Sequence, residues 1–307
     1  MPDKEWATIE TPNRPDARVC VWMPDEAPRG VFQIFHGMAE HIDRYDRMAH
    51  DLARKGFAVA GHNHKGHGTE TPDDQKGYFY AEDGWRKIVE DGHAVSEYLR
   101  GRFPGLPLIL MGFSMGSFMA RDYAARYPGE PDALILVGTG WYSAALCHAG
   151  RLLARFSPQQ KPAPQVDRIA FSGNNRFFQP SRTPFDWLSR NNAEVDKYIA
   201  DPDCGFVFTG RAFYDMFTGL LGLTRLKALE HIPVDMPVCF ISGDSDPVGQ
   251  MSKGVLTVAQ QFRDAGLKDV TVKLYHNARH EIFNEMNRDE VMADLAAWLE
   301  QTLRKLY

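Results

Sequence analysis

A serine inside a short glycine-flanked segment carries the strongest chemical signal of this sequence. Residues 112–116 read Gly-Phe-Ser-Met-Gly, which places Ser114 in a G-x-S-x-G pattern. An apolar run over 108–111 precedes the pattern, and an amphipathic stretch over 117–126 follows it. Between a strand and a helix, this pattern forms a tight turn that exposes the serine oxygen beside a helix amino terminus. The sequence therefore predicts that Ser114 is a nucleophile rather than an ordinary helix N-cap.

A serine nucleophile needs a histidine base, which this pattern places late in the chain, after an acid. Four histidines follow the serine: His148, His231, His276 and His280. The first two bracket a long insertion, whereas the last two follow an apolar run over 270–275. His276 comes directly after that run, where a structural role is the alternative. We predict that His280, further into the loop, is the base.

The acid that orients the base is expected after the preceding apolar run, 238–241. Residues 242–248 read Ser-Gly-Asp-Ser-Asp-Pro-Val, so Asp244 and Asp246 are both candidates. Asp246 lies farther from the strand end, and Pro247 fixes a turn directly after it. We predict that Asp246 is the acid and that Asp244 caps the turn.

An oxyanion intermediate needs two backbone N–H donors. One should belong to Met115, the residue after the nucleophile, and the other to a loop that follows an early strand. Residues 36–41, His-Gly-Met-Ala-Glu-His, follow the apolar run 31–35, and Gly37 allows a close backbone approach. We predict that Met38 supplies the second donor.

A histidine-rich segment offers a competing metal-dependent chemistry. Residues 61–68 read Gly-His-Asn-His-Lys-Gly-His-Gly, a spacing typical of zinc hydrolases. That zinc pattern also needs an Asp before its third histidine, where this chain has Gly66, and no later set of ligands completes a site. We predict structural histidines, no metal and no cofactor.

The elements that must position these residues alternate along the chain. Short apolar runs predict buried strands over 31–35, 57–60, 108–111, 134–137, 238–241 and 270–275. Amphipathic stretches predict helices over 44–55, 85–100, 117–126, 253–265 and 289–303. This alternation predicts an α/β fold with a mostly parallel sheet and helices on both faces. Residues 17–22 alternate more regularly and predict an antiparallel edge strand.

The alternation stops between residues 141 and 230. This stretch holds 14 Phe, Trp or Tyr in 90 residues, against 22 in the other 217. We predict two parts: an α/β core from 1–140 and 231–307, and a cap insertion over 141–230. The aromatic side chains predict a lid over an apolar pocket, and a small aromatic core of the insertion itself is the alternative.

The composition narrows the class of protein. The 307 residues are 44% hydrophobic and 24% charged, which is typical of a globular chain. The net charge of −5, without a basic stripe, argues against a nucleic-acid partner. No apolar run is long enough to span a bilayer. Residues 1–5 are charged and lack an apolar region, so we expect no secretory signal. The widely spaced Cys20, Cys147, Cys204 and Cys239 predict free thiols in a cytoplasmic protein.

Several motifs together resemble the α/β-hydrolase superfamily and, more narrowly, its monoacylglycerol lipase and lysophospholipase group. The resemblance extends from about residue 30 to 300. Residues 36–41 with Arg44 and Tyr45 are similar to that group's H-G-x-x-E-H…R-Y signature. The insertion is similar to the group's cap pattern at Leu188-Ser-Arg190, Val195-Asp-Lys-Tyr198 and Asp201-Pro202.

The resemblance implies a substrate class and a polar end to the site. Glu40 and Arg44 match residues that bind the head group in this family, whereas Phe283 stands where some monoacylglycerol lipases carry a second histidine. Asn63 replaces a usual Asp in the histidine-rich loop. Glycerol recognition therefore stays open, while ester hydrolysis is expected.

The sequence thus predicts a serine ester hydrolase for lipid-like monoacyl esters, with Ser114, His280 and Asp246 as its triad and an acyl-enzyme intermediate. An aminopeptidase, a thioesterase or a general carboxylesterase of the same fold is the alternative, and a catalytically silent binding module is a more distant one. The expected partner is a small-molecule or lipid ester. A cap of this kind allows transient contact with a membrane surface, and the oligomeric state is left open.

Overall fold

An eight-stranded, mostly parallel sheet organises the computed structural model, which describes residues 4–224 and 226–307. The strand order is β1-β2-β4-β3-β5-β6-β7-β8, with β1 and β2 antiparallel to their neighbours and all other pairs parallel. Residues 1–3, on which the expectation about a secretory signal partly rests, lie outside the described residues. The predicted fold class, an α/β-hydrolase fold, is confirmed.

The strands are short, and those at the centre of the sheet are fully buried. Their bounds are Lys4–Ile9 (β1), Ala17–Trp22 (β2), Gly30–Phe35 (β3), Phe57–His62 (β4), Leu108–Phe113 (β5), Ala133–Val137 (β6), Val238–Gly243 (β7) and Val270–Tyr275 (β8). Every residue of β3, β4, β5, β6 and β7 is buried. Burial on both faces explains why these strands read as continuous apolar runs rather than as alternating patterns.

The helices follow the strands in the order expected of crossover connections. Their bounds in the described chain are Asp46–Ala53 (α1), Gly84–Arg102 (α2), Met115–Arg126 (α3), Ala144–Arg155 (α4), Pro164–Phe171 (α5), Asn192–Ala200 (α6), Gly210–Gly222 (α7), Lys253–Asp264 (α8) and Arg288–Leu306 (α9). Short 3₁₀ turns span Ile42–Tyr45, Asp73–Gln75, Asn174–Phe177, Asp186–Leu188, Leu226–His231 and Ile282–Asn284.

Alternate residues of the central strands face two separate cores. Leu110, Leu134 and Phe240 pack with α2, α3 and α8 on one face. Ile109, Met111 and Ile135 pack with α1 and α9 on the other. The sheet is therefore covered on both sides, so the loops at the carboxyl ends of the strands are where side chains can meet in a cleft.

The predicted position of one strand is wrong. The strand Ala17–Trp22 is antiparallel as expected, yet it lies second in the sheet because Lys4–Ile9 pairs along its outer side. In the outer strand only Ala7 and Ile9 are partly buried and the other residues are exposed, as is typical of an edge strand that largely faces solvent.

Helices α4 to α7 lie between β6 and β7, within the stretch where the sequence predicts an insertion. Helix α7 packs closely on α2 of the core. The ring of Trp85 lies so near Gly219 that a side chain at Gly219 would overlap it. The four helices and their connections are called the insertion below. Among the described residues, no helix is both long enough and apolar enough to cross a membrane.

Candidate active site

Ser114 occupies a strained turn between β5 and α3. Its φ of 50° and ψ of −117° are unusual for a residue with a side chain. Added Cβ atoms at Gly112 and Gly116 would lie 2.2 Å from Gly116 O and 2.0 Å from Phe35 O, respectively, so both positions need glycine. Strain of this kind persists where the surroundings fix it, and it is common at reactive residues. The turn aims the Ser114 side chain into a large cavity.

His280 and Asp246 form a buried hydrogen-bonded pair beside the same cavity. His280 Nδ1 lies 2.9 Å from Asp246 Oδ2, and their side chains are 2% and 0% exposed. The other carboxylate oxygen, Oδ1, accepts the backbone N–H of Val248 at 2.8 Å. The loops after β7 and β8 supply the two residues because these parallel strands end at the same edge. A carboxylate on Nδ1 fixes the tautomer that leaves Nε2 free to accept a proton.

The alternative pair, Asp244 and His276, lies at the surface. His276 Nδ1 is 3.0 Å from Asp244 Oδ2, and the His276 side chain is 84% exposed. The second Asp244 oxygen accepts the N–H of Asn277 at 2.8 Å, which ties the two loops together. Neither residue lines the cavity.

The loop after β3 brings Met38 to the same cavity as Met115. Met115 is the first residue of α3, so its N–H has no partner within the helix. The start of α3 packs directly on the end of β3, because Gly116 lies against the carbonyl oxygens of Phe35 and His36. This close approach places the loop that carries Met38 next to the serine turn.

The cavity measures about 610 Å³ and lies between the core and the insertion. Ser114 and His280 line it from the core, while α4, α5, α7 and the segment around Trp187 line it from the insertion. Two aromatic rings flank the imidazole, with ring centroids 4.9 Å away for Phe113 and 5.1 Å away for Trp187. A volume of this size suits a medium-sized apolar ligand.

Half of the insertion's aromatic residues line the cavity, and the others do not. Those on its wall are Tyr142, Phe171, Phe185, Trp187, Tyr198, Phe206 and Phe217. Phe208 and Phe213 are instead fully buried among themselves and the core. The aromatic residues on the cavity wall agree with the lid hypothesis, whereas Phe208 and Phe213 agree with the alternative, an aromatic core of the insertion.

Glu40 and Arg44 lie in the cavity wall, where they are bonded to each other and to a residue that the sequence analysis missed. Arg44 Nη1 and Nη2 donate to the two oxygens of Glu281 at 2.8 Å each, and Nη1 also donates to Glu40 Oε2. Burial disfavours the arginine charge, but the carboxylates of Glu281 and Glu40 outweigh it and raise the pKa of Arg44. Glu281 directly follows His280, yet its partner is 237 positions away, so no local pattern indicates the pair.

Both carboxylate oxygens of Glu40 already accept hydrogen bonds within the protein. Its Oε1 accepts the hydroxyl of Tyr45 at 2.8 Å and the N–H of Gly37. A fully bonded carboxylate has less to offer a bound molecule than a free one, since new hydrogen bonds must replace existing ones.

Phe283, expected at the head-group end, does not line the large cavity. It lies behind the Arg44–Glu281 pair, where it lines a separate cavity of about 30 Å³ and packs in the core with α9. Phe283 is close to His280 in sequence, but the 3₁₀ turn Ile282–Asn284 directs its side chain into the core. Its expected contact with substrate is therefore not supported by the geometry.

The histidine-rich loop forms a buried cluster below the site. His36, His62, His64 and His67 pack together with ring centroids 4.0 to 6.1 Å apart in successive pairs. The backbone N–H of His64 donates to His36 Nε2 at 3.1 Å, and that of Ala39 to His67 Nε2 at 3.3 Å. These bonds support the loop that carries Met38, which is a structural role.

A different group has the spacing of metal ligands within the described chain. It comprises His41, Asp201 and Cys204, whose ligand atoms lie within 4.8 Å of one another. His41 Nε2 is already hydrogen-bonded to Asp201 at 2.8 Å, which links the core loop to the insertion. Burial raises the pKa of the Cys204 thiol, so the thiolate that a metal prefers is disfavoured. We draw no metal site from this group.

Comparison with known proteins adds the family. Residues 26–287 match the sequence pattern of the hydrolase family described as serine aminopeptidase, S33. This chain belongs to that family of α/β-hydrolases. The match covers the sheet from just before β3 to the loop that carries His280, and so it includes the insertion.

Relatives of this S33-family chain include two named lipases. A monoacylglycerol lipase of Mycolicibacterium smegmatis is 28% identical, over 91% of each chain. A human monoglyceride lipase is 26% identical, over 91% of this chain and 85% of its own. A thermostable carboxyl esterase from Bacillus coagulans, solved with glycerol, is 28% identical with a TM-score of 0.89, over 99% of this chain and 100% of its own. The S33-family protein is accordingly a serine ester hydrolase of the lipase and esterase type.

The buried histidines make a prediction about stability. Burial lowers the pKa of His62 to about 3, and its ring nitrogens have no hydrogen-bond partner among the described residues. An unfolded chain protonates histidine near pH ~6.5. Between these values the unfolded state binds more protons, so the free energy of unfolding falls as the pH falls.

We therefore expect His62→Gln to flatten that dependence. The slope of the unfolding free energy between pH ~6 and ~4, measured by urea titration, should decrease by up to about 1.4 kcal/mol per pH unit. Comparing slopes removes any destabilisation that is the same at every pH. An unchanged slope would show that His62 is protonated in the folded protein.

Proposed function

We propose that this protein hydrolyses lipid-like monoacyl esters through a Ser114–His280–Asp246 triad and an acyl-enzyme intermediate. The observation that carries the proposal is the buried 2.9 Å contact between His280 Nδ1 and Asp246 Oδ2, in the wall of the cavity that Ser114 also lines. The family and its lipase relatives support the same chemistry.

The reaction follows from the chemistry of these groups. His280 Nε2 takes the hydroxyl proton as Ser114 Oγ attacks the ester carbonyl, and Asp246 stabilises the resulting imidazolium. The imidazolium then protonates the leaving alkoxide, which departs as an alcohol. Water next attacks the acyl-enzyme with His280 again as base, and the fatty acid is released. The backbone N–H groups of Met38 and Met115 stabilise the negative oxygen in both steps.

The cavity supports an extended apolar acyl chain as the substrate's main recognition element. Its walls carry mostly aliphatic and aromatic side chains, and Glu40, Arg44 and Glu281 form one charged group in the wall. We propose that the acyl chain lies under the insertion and the alcohol part lies at this charged group. Because the three charged side chains are bonded to one another, they should discriminate weakly between alcohols.

The triad makes the first prediction of function. Ser114→Ala should lower kcat by roughly 10⁴ or more and abolish labelling by a fluorophosphonate probe. Asp246→Asn should lower kcat by a similar order. If the amide oxygen keeps the bond from Val248 N–H, the NH₂ group faces Nδ1 as a donor and favours the wrong imidazole tautomer. Persistent labelling of the Ser114 variant would overturn the nucleophile.

Asp244→Asn is the matched control for the acid. Asp244 also pairs with a histidine, but at the surface and away from the cavity. Its kcat should stay near that of the wild type. An inactive Asp244 variant beside an active Asp246 variant would reverse the assignment.

The outer side of the insertion supports uptake from a lipid surface. Leu152, Phe156 and Ile169 are exposed on α4, at its end and on α5, and Ile169 also lines the cavity together with other side chains of these helices. Exposed apolar groups beside a cavity are typical of a surface that contacts lipid or another apolar partner. We propose that this exposed apolar surface makes transient contact with membranes. We also propose that the protein is cytoplasmic, because its unpaired cysteines suit a reducing compartment.

Vesicle sedimentation tests this contact. Phe156→Ser should lower the partition coefficient onto phosphatidylcholine vesicles by roughly thirtyfold, on the scale of ~2 kcal/mol for a buried aromatic side chain. Leu256→Ser, which changes an exposed apolar residue of α8 in the core, is the control and should bind as the wild type does. Equal binding of both variants would refute the contact.

Substrate chain length and alcohol test the cavity. Each methylene buried under the insertion should contribute ~0.8 kcal/mol, so two more carbons should raise kcat/KM roughly tenfold until the cavity is full. Glyceryl and simple alkyl esters of equal length should differ by less than about tenfold, the value of one hydrogen bond. The panel should also contain lysophospholipids, thioesters and aminoacyl amides.

The outcomes separate the alternatives. A preference for acetate over longer chains would refute the acyl cavity. A thousandfold preference for glyceryl esters would mean that Glu40 and Arg44 release each other to bind the alcohol. Faster cleavage of aminoacyl amides than of any ester would favour an aminopeptidase.

A further inference from the structure

The loop that carries His280 is held by the core along one side. Ser245 N donates to Ala278 O at 3.0 Å, and His280 itself bonds Asp246. An added Cβ at Gly243 would lie 2.0 Å from Ala278 O, so the loop rests directly on the end of β7. These contacts fix the start of the loop but leave its continuation to other partners.

The insertion holds the other side of this loop through residues 186–190, called the clamp segment here. Glu281 N donates to Leu188 O at 2.7 Å, and Ser189 Oγ donates to Asn284 O at 2.9 Å. His280 N points to Trp187 O at 3.4 Å. The imidazole therefore lies in a loop whose backbone is bonded to the insertion at His280 itself and at two residues after it.

An ion pair closes the clamp segment onto the loop. Arg190 donates through N at 3.0 Å and through Nε at 2.8 Å to the two oxygens of Glu285. Its Nη2 donates to Asn287 Oδ1 at 2.9 Å. Glu285 also accepts the N–H of Arg279 and of Met286, at 2.9 Å each, and its side chain is fully buried.

The geometry of this pair depends on the guanidinium. Two different nitrogens of Arg190 bond two different partners, which a lysine ammonium, as a single point charge, cannot reproduce in the same directions. Glu285 is buried, so a poorly placed partner leaves its carboxylate incompletely bonded and the loop must rearrange. The N–H of Arg279, the residue directly before His280, donates to Oε1 of the same carboxylate, whereas the guanidinium Nε donates to Oε2.

The clamp also sets the ring that covers the imidazole. Trp187 belongs to the clamp segment, and its ring centroid lies 5.1 Å from that of His280, while the ring of Phe113 lies 4.9 Å from the same imidazole. A shift of the segment would move both the ring and the backbone that bears the base. Displacements of about 1 Å at a reacting group cost up to roughly a hundredfold in rate.

We propose that Arg190 and Glu285 are positioning residues for His280, through which the insertion takes part in aligning the base with Asp246. The inference rests on the proposed role of His280 as the base. Neither residue lines the cavity, so neither contacts the substrate. The insertion is then a part of the catalytic assembly as well as a wall of the substrate cavity.

Arg190→Lys is the main test, because it keeps the positive charge but removes the guanidinium, whose separate nitrogens donate to Glu285 and Asn287. The variant should lower kcat about tenfold on a medium-chain ester, with KM changed less than about twofold. The acid limb of the pH profile of kcat/KM should move to lower pH by about half a unit, since a misaligned Asp246 stabilises the imidazolium less. Because lysine keeps the positive charge at position 190, this shift reports the alignment of His280 with Asp246 and not a change in the electrostatic potential at His280.

A spectroscopic signature and a control complete the test. The low-field proton resonance of the His280 Nδ1–Asp246 hydrogen bond should shift or broaden in Arg190→Lys at low pH. Arg182→Lys is the matched control, because Arg182 pairs with Asp196 at the surface of the same insertion. It should leave kcat, the acid limb and the resonance unchanged.

The results distinguish this inference from the proposed function. A folded Arg190→Lys with wild-type kcat, acid limb and resonance would overturn it, even if its melting temperature falls. Should Arg190→Lys fail to fold, Asn287→Ala is the second test. It removes the Nη2 contact together with an exposed bond from Asn287 Nδ2 to Glu290, and Glu290→Gln is the control for that second loss. The same changes at smaller size in Asn287→Ala alone support the inference, and wild-type behaviour refutes it. Full activity of Ser114→Ala would instead overturn the proposed function itself.

Discussion

Parallel pairing of β3, β5, β6, β7 and β8 is the constraint on which the site depends. Parallel strands bring their carboxyl ends to one edge, so the loops after four of them meet there although they are far apart in sequence. The loops after β3, β5, β7 and β8 provide Met38, Ser114, Asp246 and His280. Tight backbone contacts at Gly116 and Gly243 then lock neighbouring loops together. The sheet therefore determines which residues meet, and the glycines determine how closely.

Buried charge at this edge is fully organised by pairing. Glu40, Arg44 and Glu281 form one network, and Arg190 with Glu285 forms a second on the far side of the His280 loop. Buried ion pairs contribute little net stability, because desolvation offsets much of the attraction, but removal of one partner is costly. Their value here is geometric, since each network fixes two chain segments relative to each other. The first joins the loops after β3 and β8, and the second joins the insertion to the core.

Local sequence was sufficient for features that depend on nearby residues. The buried strands, most helices and the serine turn all follow from apolar runs, amphipathic periodicity and the G-x-S-x-G pattern. What it could not supply depends on distant pairing. The strand Lys4–Ile9 has too weak an apolar face to be recognised from sequence, so the sequence alone predicts that Ala17–Trp22 is the edge strand. The Arg44–Glu281 bond, 237 positions long, and the inward turn of Phe283 likewise need the folded chain.

The insertion's two attachments have a consequence for how substrate range can diversify. The clamp segment is bonded to the His280 loop, and the region around Tyr198 and Gly205 is bonded to Ala39 O beside Met38. Helices α4 and α5, in contrast, join the described chain through α7 and the segment just before it, as in the bonds of Ala163 N to Phe208 O and of Gly210 N to Pro158 O. We therefore expect mutations in α4 and α5 to reshape the cavity while the loops that carry Met38 and His280 keep their attachments. The insertion thus has one part anchored to the loops of the proposed catalytic residues and another part that is free to vary without moving them.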